Sequence, residues 1–434
     1  MKIERELGFG EARMHLFHLL CHGTTQGALH LRLAGEYNEN SIMTAVSSLL
    51  RALPDLSLAI SKVDGHYHYV RPQQALDVSD YLNIYRSEKS DENAWQEDIR
   101  KANNDLLDAS IQLWRLDVFP KTDALFDLVL VTHHALMDAN GSEYLLDSLL
   151  KLVSGTPVES VFKQVSTGNP IFPSLEQDAI TSCSWDKFLD VQSDAKKALA
   201  HVQLENHVES AVLTDRETVV QFHKINKQTV DLLNRICTVQ NVSMNSLLSA
   251  LFIYAVANNS RRKEFALATA MAMRQFCPNV EDNSMGSYLS VAATSHSVSN
   301  LAIESYIELA KQHKEKTYEA FLRVARWVPE SYPEDAIEKM INGIVDSTVF
   351  SNDLGLTYAD SGLKRKYGEI ELKHQYVVAR RQAGNVSAIM HGLHSNGEIF
   401  LTMSHVTPLQ DSKWATNVLN QFKSDIPDLI SHYG

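Results

Sequence analysis

Apolar and polar positions along this chain alternate between two periods. Leu29, Leu31 and Leu33 flank His30 and Arg32 in strict alternation, the pattern of a strand with one apolar face. Residues Asn38 to Leu53 carry helical spacing, and Leu56–Ile60 with His66–Val70 predict a hairpin turning at Asp64-Gly65. Ala124 to Val131 is a mostly apolar run with valines at 129 and 131, which predicts a buried strand ending at Thr132, His133 and His134. Asp138, Asn140 and Gly141 then supply turn chemistry, and Ser142 is placed to cap an amphipathic helix running through Leu145, Leu146, Leu149 and Leu150.

The pattern weakens between Ser166 and Glu209, where Gly168, Pro170 and Pro173 interrupt it and Asp194 to Leu204 reads as an exposed helix. It restarts with a strand near Val219–His223, a helix Lys227–Gln240 and a core helix opened by Ser243. A strand Phe265–Met273 then delivers Arg274. An amphipathic helix around Ile303–Tyr318 and a strand Ile344–Ser351 follow. Three further strands are expected at Glu369–Arg380, Ser387–His394 and Glu398–His405, with a closing helix around Trp414–Phe422. Strands and helices recur in both halves without a Rossmann glycine fingerprint. The economical expectation is an α/β fold of two similar lobes, each a mixed sheet with flanking helices, divided as residues 1–175, a crossover at 176–210, and 211–434.

Composition narrows the function. With 44% hydrophobic and 21% charged residues the chain has the makeup of an ordinary globular protein, and its net charge of -13 argues against nucleic acid as the main partner. Cys21, Cys183, Cys237 and Cys277 lack motif spacing, which fits a reducing compartment better than a disulfide framework. The first residues are charged where a signal peptide would carry its apolar core, and the longest apolar run, Leu247–Ala257, is too short to cross a bilayer. A cytoplasmic protein without a transmembrane segment is expected.

The candidate chemistry sits in HHALMDANG, His133 to Gly141. A strand-turn-helix corner holds its backbone from both sides, which suits a base that must reach a substrate proton. No GxSxG elbow supplies a serine nucleophile, and neither HExxH nor paired CxxC is present. Adjacent residues on a strand point to opposite faces, so His133 and His134 are poorly placed to share one metal ion. Asp138 can brace the loop through an arginine or backbone amides at least as easily as it can touch the imidazole. A structural role for the pair remains open at this point. If the pair is catalytic, His134 is the natural general base, removing a proton from a hydroxyl or amine that attacks an activated acyl group without a covalent acyl-enzyme.

Further landmarks carry a family resemblance. GEYNENSIMTAVSSLLRALPDL, the Leu113-Trp114-Arg115 element, HHALMDANG, MAMRQFCP, SMGSY and SNDLG fall in the order seen in the HxxxD acyltransferase superfamily. That superfamily includes chloramphenicol acetyltransferase, peptide-synthetase condensation domains and alcohol acetyltransferases. The sequence departs from many relatives where Ala139 and Asn140 precede Gly141, where Asp353 extends SNDLG, and in lacking the plant-type DFGWG.

The resemblance implies two chloramphenicol-acetyltransferase-like lobes with an active-site channel between them. It implies His134 as base, Asp138 as organiser of the loop paired with Arg274, and a supporting His133. It implies no metal and no tightly bound cofactor, with acyl-CoA or an acyl carrier protein as co-substrate and a small alcohol or amine as acceptor. Oxyanion donors would come from the Gly141 amide or from Ser351 and Asn352, which equally suit a turn before Gly355. Arg274 alone could equally serve a surface salt bridge. Trp114 reads as core packing rather than a substrate wall. The basic segments Arg261–Lys263 and Lys364–Lys366 could meet coenzyme A phosphates or a carrier protein, or be solvated turns. A monomer is implied, because two lobes on one chain form the interface that smaller relatives build between subunits. A free-standing condensation-type enzyme and a non-catalytic binding protein of the same fold are the alternatives.

Overall fold

The computed structural model describes residues 2–72, 77–86, 94–162, 171–198, 208–281, 284–333, 335–345 and 354–434. Two six-stranded mixed sheets carry its architecture. The first runs, edge to edge, Lys366–Tyr367, Ile370–Ala379, Gly27–Ala34, Leu125–Thr132, Trp114–Thr122 and Leu82–Ile84, antiparallel except for its last pair. The second runs Leu289–Ser297, Glu264–Ala272, Leu354–Asp360, Ala388–Ser395, Glu398–Thr407 and Glu217–Ile225, with parallel pairing on both sides of Leu354–Asp360. The first sheet therefore takes two strands, Lys366–Tyr367 and Ile370–Ala379, from the second half of the chain. The strand Ile370–Ala379 lies directly against Gly27–Ala34.

Each sheet has its own core. In the first lobe Leu31, Leu33, Leu128 and Leu130 meet the helices Glu39–Ala52 and Ala139–Val153 through Ile42, Val46, Leu49, Leu145 and Leu146, all buried. In the second lobe the helix Met244–Asn258, opened by a Ser243 side chain that accepts from the Ser246 N–H, is apolar on nearly every face because protein surrounds it. No single helix among the described residues is long and apolar enough to cross a membrane; the helices Lys227–Gln240 and Met244–Asn258 meet that test only as a pair bent by 102°.

Several expected elements differ in detail. The alternating strand Gly27–Ala34 buries both faces, and its polar positions are neutralised inside: Arg32 donates to both oxygens of Asp127 at 2.9 Å and His30 lies 3.1 Å from the same carboxylate. The helix after the histidine strand is capped by Asp138, not by Ser142, since the Asp138 carboxylate accepts from the Gly141 N–H at 3.1 Å. Residues 344 and 345 close the helix Ala336–Val345 instead of starting a strand, because Ile337, Met340, Ile341 and Ile344 continue one helical stripe; the rest of the expected strand lies outside the described residues. The hairpin is present as Ala59–Val63 and His66–Arg71, with Asp64 and Gly65 at φ 49° and 93°, the left-handed pair a tight hairpin turn requires.

Both lobes enclose histidines among few countercharges. Burial pushes His15 and His296 down to about 3 and His313 to about 4, from the ordinary 6.5. These imidazoles are neutral when folded yet protonate near 6.5 when unfolded, so the unfolded chain binds more protons as pH falls through that window. Stability is complete above about 6.5 and is lost progressively toward 4 to 3, by roughly 1.4 kcal/mol per pH unit for each such group. Denaturant midpoints should fall measurably between pH 7 and 5.5; an unchanged midpoint would contradict neutral burial.

Candidate active site

The strand Leu125–Thr132 ends in a loop that the second lobe holds in place. The Asp138 N–H donates to the Gly286 carbonyl at 3.0 Å, and the Gly286 N–H donates back to Leu136 at 2.8 Å. Gly286 has φ +115°, and a side chain there would strike the Tyr288 ring. From the first lobe, the buried Tyr69 hydroxyl donates to the Ala135 carbonyl at 2.6 Å.

The Asp138 carboxylate is the centre of this lock. Arg274, which follows the strand Glu264–Ala272 of the other lobe, donates from Nε to Oδ2 at 3.0 Å and from Nη2 to Oδ1 at 2.8 Å. The N–H groups of Gly141 and Tyr288 donate to the same carboxylate at 3.1 and 3.3 Å. The remaining guanidinium donors reach the Glu281 carbonyl and both oxygens of Ser284. The pair is buried and bidentate, the strongest geometry available to arginine and carboxylate.

The two histidines separate as neighbours at a strand end should. His133 is fully buried beside His15 and His18, both from the helix Phe9–Leu20. The Ala135 N–H donates to His133 Nδ1 at 3.1 Å, which leaves the ring proton on Nε2, 3.4 Å from His15 Nδ1. His18 donates through Nε2 to the Leu107 carbonyl at 2.9 Å. Burial and mutual repulsion hold His133 well below the ordinary imidazole range. Among the described residues no group of three histidine, cysteine or acidic side chains is arranged to hold a metal.

His134 is enclosed by protein yet keeps some accessible surface. Burial lowers its proton affinity and the Asp138 carboxylate opposes that shift only in part, so its imidazole is neutral at pH 7. Arg13, from the helix Phe9–Leu20, adds a positive field. His391, on the second lobe's strand Ala388–Ser395, stands within electrostatic reach of both His134 and Arg381 and is pushed by burial to about 3.

Of the remaining candidates, Trp114 is buried in the first core, stacked on Tyr81 at 5.0 Å with its indole N–H on the Leu56 carbonyl. The Gly141 amide, expected as an oxyanion donor, is already engaged by Asp138 as the helix cap, and a side chain there would lie 2.9 Å from the Met137 Cβ. Ser351 and Asn352 lie outside the described residues. In the basic segments, Arg365 is paired with Glu371 and Arg262 lies over the Phe265 ring. Sequence reasoning missed Arg13, His391 and Arg381. The last two had a signal: a histidine on the inward side of an apolar strand, and an Arg-Arg pair at the end of the preceding strand.

Removing one member of the buried pair leaves the other charge unmatched. Asp138→Ala should lower unfolding free energy by about 3–5 kcal/mol, and adding Arg274→Met in the same chain should recover part of that loss. Denaturant midpoints of the single and double variants measure this; additive losses would show that the two side chains do not act as a pair.

A condensation-domain family model matches residues 13–322. Among solved structures the fold is shared with polyketide synthase associated protein 5 from Mycobacterium tuberculosis, at 14% identity and a TM-score of 0.70 over 100% of both chains. It is shared with the trichothecene 15-O-acetyltransferase of Fusarium sporotrichioides, at 13% identity and a TM-score of 0.74 over 97% of this chain and 94% of that one. The first condensation domain of the CDA synthetase aligns at 9% identity and a TM-score of 0.71, covering 98% and 96%. No curated protein matches the chain in sequence. With a histidine strand ending where the two lobes meet, a carboxylate-guanidinium lock behind it and a family model spanning most of its length, this chain belongs to the condensation-domain family.

Proposed function

We propose that the protein is an acyltransferase that moves an acyl group from a thioester, acyl-CoA in the first instance, to the hydroxyl or amine of a small acceptor. The observation that carries this reading is His134: a neutral, partly accessible imidazole at the rigid end of a strand, in a loop locked by Asp138 and Arg274. In this reading His134 takes the acceptor's proton as its oxygen or nitrogen attacks the thioester carbonyl. The tetrahedral oxyanion collapses, the carbon-sulfur bond breaks, and the departing thiolate receives the proton back from His134. No acyl-enzyme forms. Asp138 keeps the loop in register and lends a negative field to the imidazolium that forms transiently. His133, through its buried contacts, sets the strand end from which His134 projects.

The fold shared with an O-acetyltransferase supports the acyl-CoA reading. The condensation-domain match favours a second one, in which the acyl group arrives on a carrier protein and an ester or amide is made.

Purified protein incubated with acyl-CoA thioesters of graded length and pooled alcohols and amines should release free thiol, and His134→Ala should reduce turnover by about 10²–10⁴-fold. Unchanged turnover in that variant removes His134 as the base. Because burial lowers the His134 proton affinity, the acidic limb of kcat/KM should have its midpoint below 6.5, with activity retained as pH rises through neutrality; a midpoint above 6.5 would contradict the assignment. Offering the same acyl group on coenzyme A and on a carrier protein separates the two donor readings.

A further inference from the structure

The strand register brings a cation to the sheet end from which His134 projects. Ala379, Gly27 and Thr132 form one row across three adjacent strands of the first sheet. Arg381 and His134 each follow that row by two residues, so both leave the sheet at the same edge. Arg381 begins the crossing to the second lobe, its backbone N–H donating to the Thr218 hydroxyl at 2.8 Å. Its arginine neighbours are occupied: Arg380 donates to the Asn104 carbonyl, and Arg216 to the carbonyls of Ala211, Gln382 and Ala383.

The Arg381 guanidinium is different. Among the described residues it meets no acceptor, and its Nε is buried without a hydrogen-bond partner. Like His134, the side chain is enclosed by protein yet partly accessible. Its titratable neighbours carry no compensating charge at neutral pH: burial pushes the Cys21 thiol to about 11 and His391 to about 3. Burial also lowers Arg381 itself, to about 10, which leaves it cationic. His391, on the strand Ala388–Ser395, lies within electrostatic reach of both Arg381 and His134, and its buried Nδ1 is likewise without a partner among the described residues. A largely enclosed guanidinium with no partner among the described residues is costly to keep, unless an anion visits it.

We propose that the acceptor substrate carries a carboxylate, held by Arg381 and His391, with its hydroxyl or amine directed at His134. This deepens the acyl-transfer reading and rests on it. A guanidinium fork matches a carboxylate in shape as well as charge. The acceptor is the source of the anion rather than the donor, because a pantetheine arm keeps its phosphate many bonds from the thioester carbon, whereas His391 lies within reach of the base. The substrate class is therefore a hydroxy acid or an amino acid with a free carboxylate.

The test is calorimetric titration of the full chain at pH 7 with hydroxy carboxylates, each paired with its neutral amide: glycolate and glycolamide, 3-hydroxybenzoate and 3-hydroxybenzamide, 4-hydroxyphenylacetate and 4-hydroxyphenylacetamide. At least one carboxylate should bind about tenfold or more tightly than its amide. Arg381→Gln should abolish that preference, Arg381→Lys should keep part of it, and His134→Ala should leave it intact. The melting temperature of Arg381→Gln should equal or exceed that of the parent, since no group among the described residues loses a partner; a purely structural arginine would give the opposite. A panel in which no carboxylate outbinds its amide, or a preference that survives Arg381→Gln, overturns the proposal. Carboxylate preference without thiol release from any donor would leave this inference standing and sink acyl transfer. Thiol release with neutral acceptors, indifferent to Arg381→Gln, would do the reverse.

Discussion

Everything at the site depends on one buried ion pair. Asp138 and Arg274 belong to different lobes, and the carboxylate takes four hydrogen bonds: two from the guanidinium, one from the helix it caps and one from the Tyr288 backbone. An isolated charge at that depth would be strongly destabilising, so the two lobes can approach only in the arrangement that joins these side chains. The loop between His134 and Asp138 has no independent freedom once both the pair and the Met137–Gly286 bridge are made. The position of the imidazole is thereby a property of the lobe interface more than of its own strand.

The interior around this lock is unusual in its charge balance. Among the described residues Asp138 is the carboxylate that acts on His134, while arginines approach from the helix Phe9–Leu20 and from the segment after Ile370–Ala379. Burial keeps the histidines on both sides of His134 neutral, so they tune hydrogen bonding and not field. The positive potential comes from guanidinium groups, which cannot discharge at physiological pH.

Much of the framework was legible because local patterns settle it. The apolar run before His133, the spacing of Asn38–Leu53 and the Asp64-Gly65 turn each specify an element from neighbouring residues alone. The Asp138–Arg274 contact was anticipated from motif order. Other features depend on distant partners. Ser142 looked like a cap until Asp138, braced by Arg274, took that role. Gly141 looked like a free donor for the same reason. Ile344 belonged to a helical stripe that begins at Ile337, beyond the short window in which a strand seemed natural. Arg381 and His391 reach the site only through the pairing of strands far apart in sequence, which no local period encodes.

The strand Ile370–Ala379 deserves a last consideration, in terms of the order in which the chain is made. During synthesis the strand Gly27–Ala34 can pair early with Leu125–Thr132, but its other edge stays open until most of the protein has emerged. An unpaired edge of that length invites wrong pairing with itself or with other chains. The first lobe is thus held incomplete for much of its own production, and the strand that closes it brings Arg381 immediately behind. Completion of the sheet and arrival of Arg381 beside the histidine strand's end are one event, so a nascent or truncated chain ending before that strand would carry the histidine motif without the surroundings it has in the folded protein.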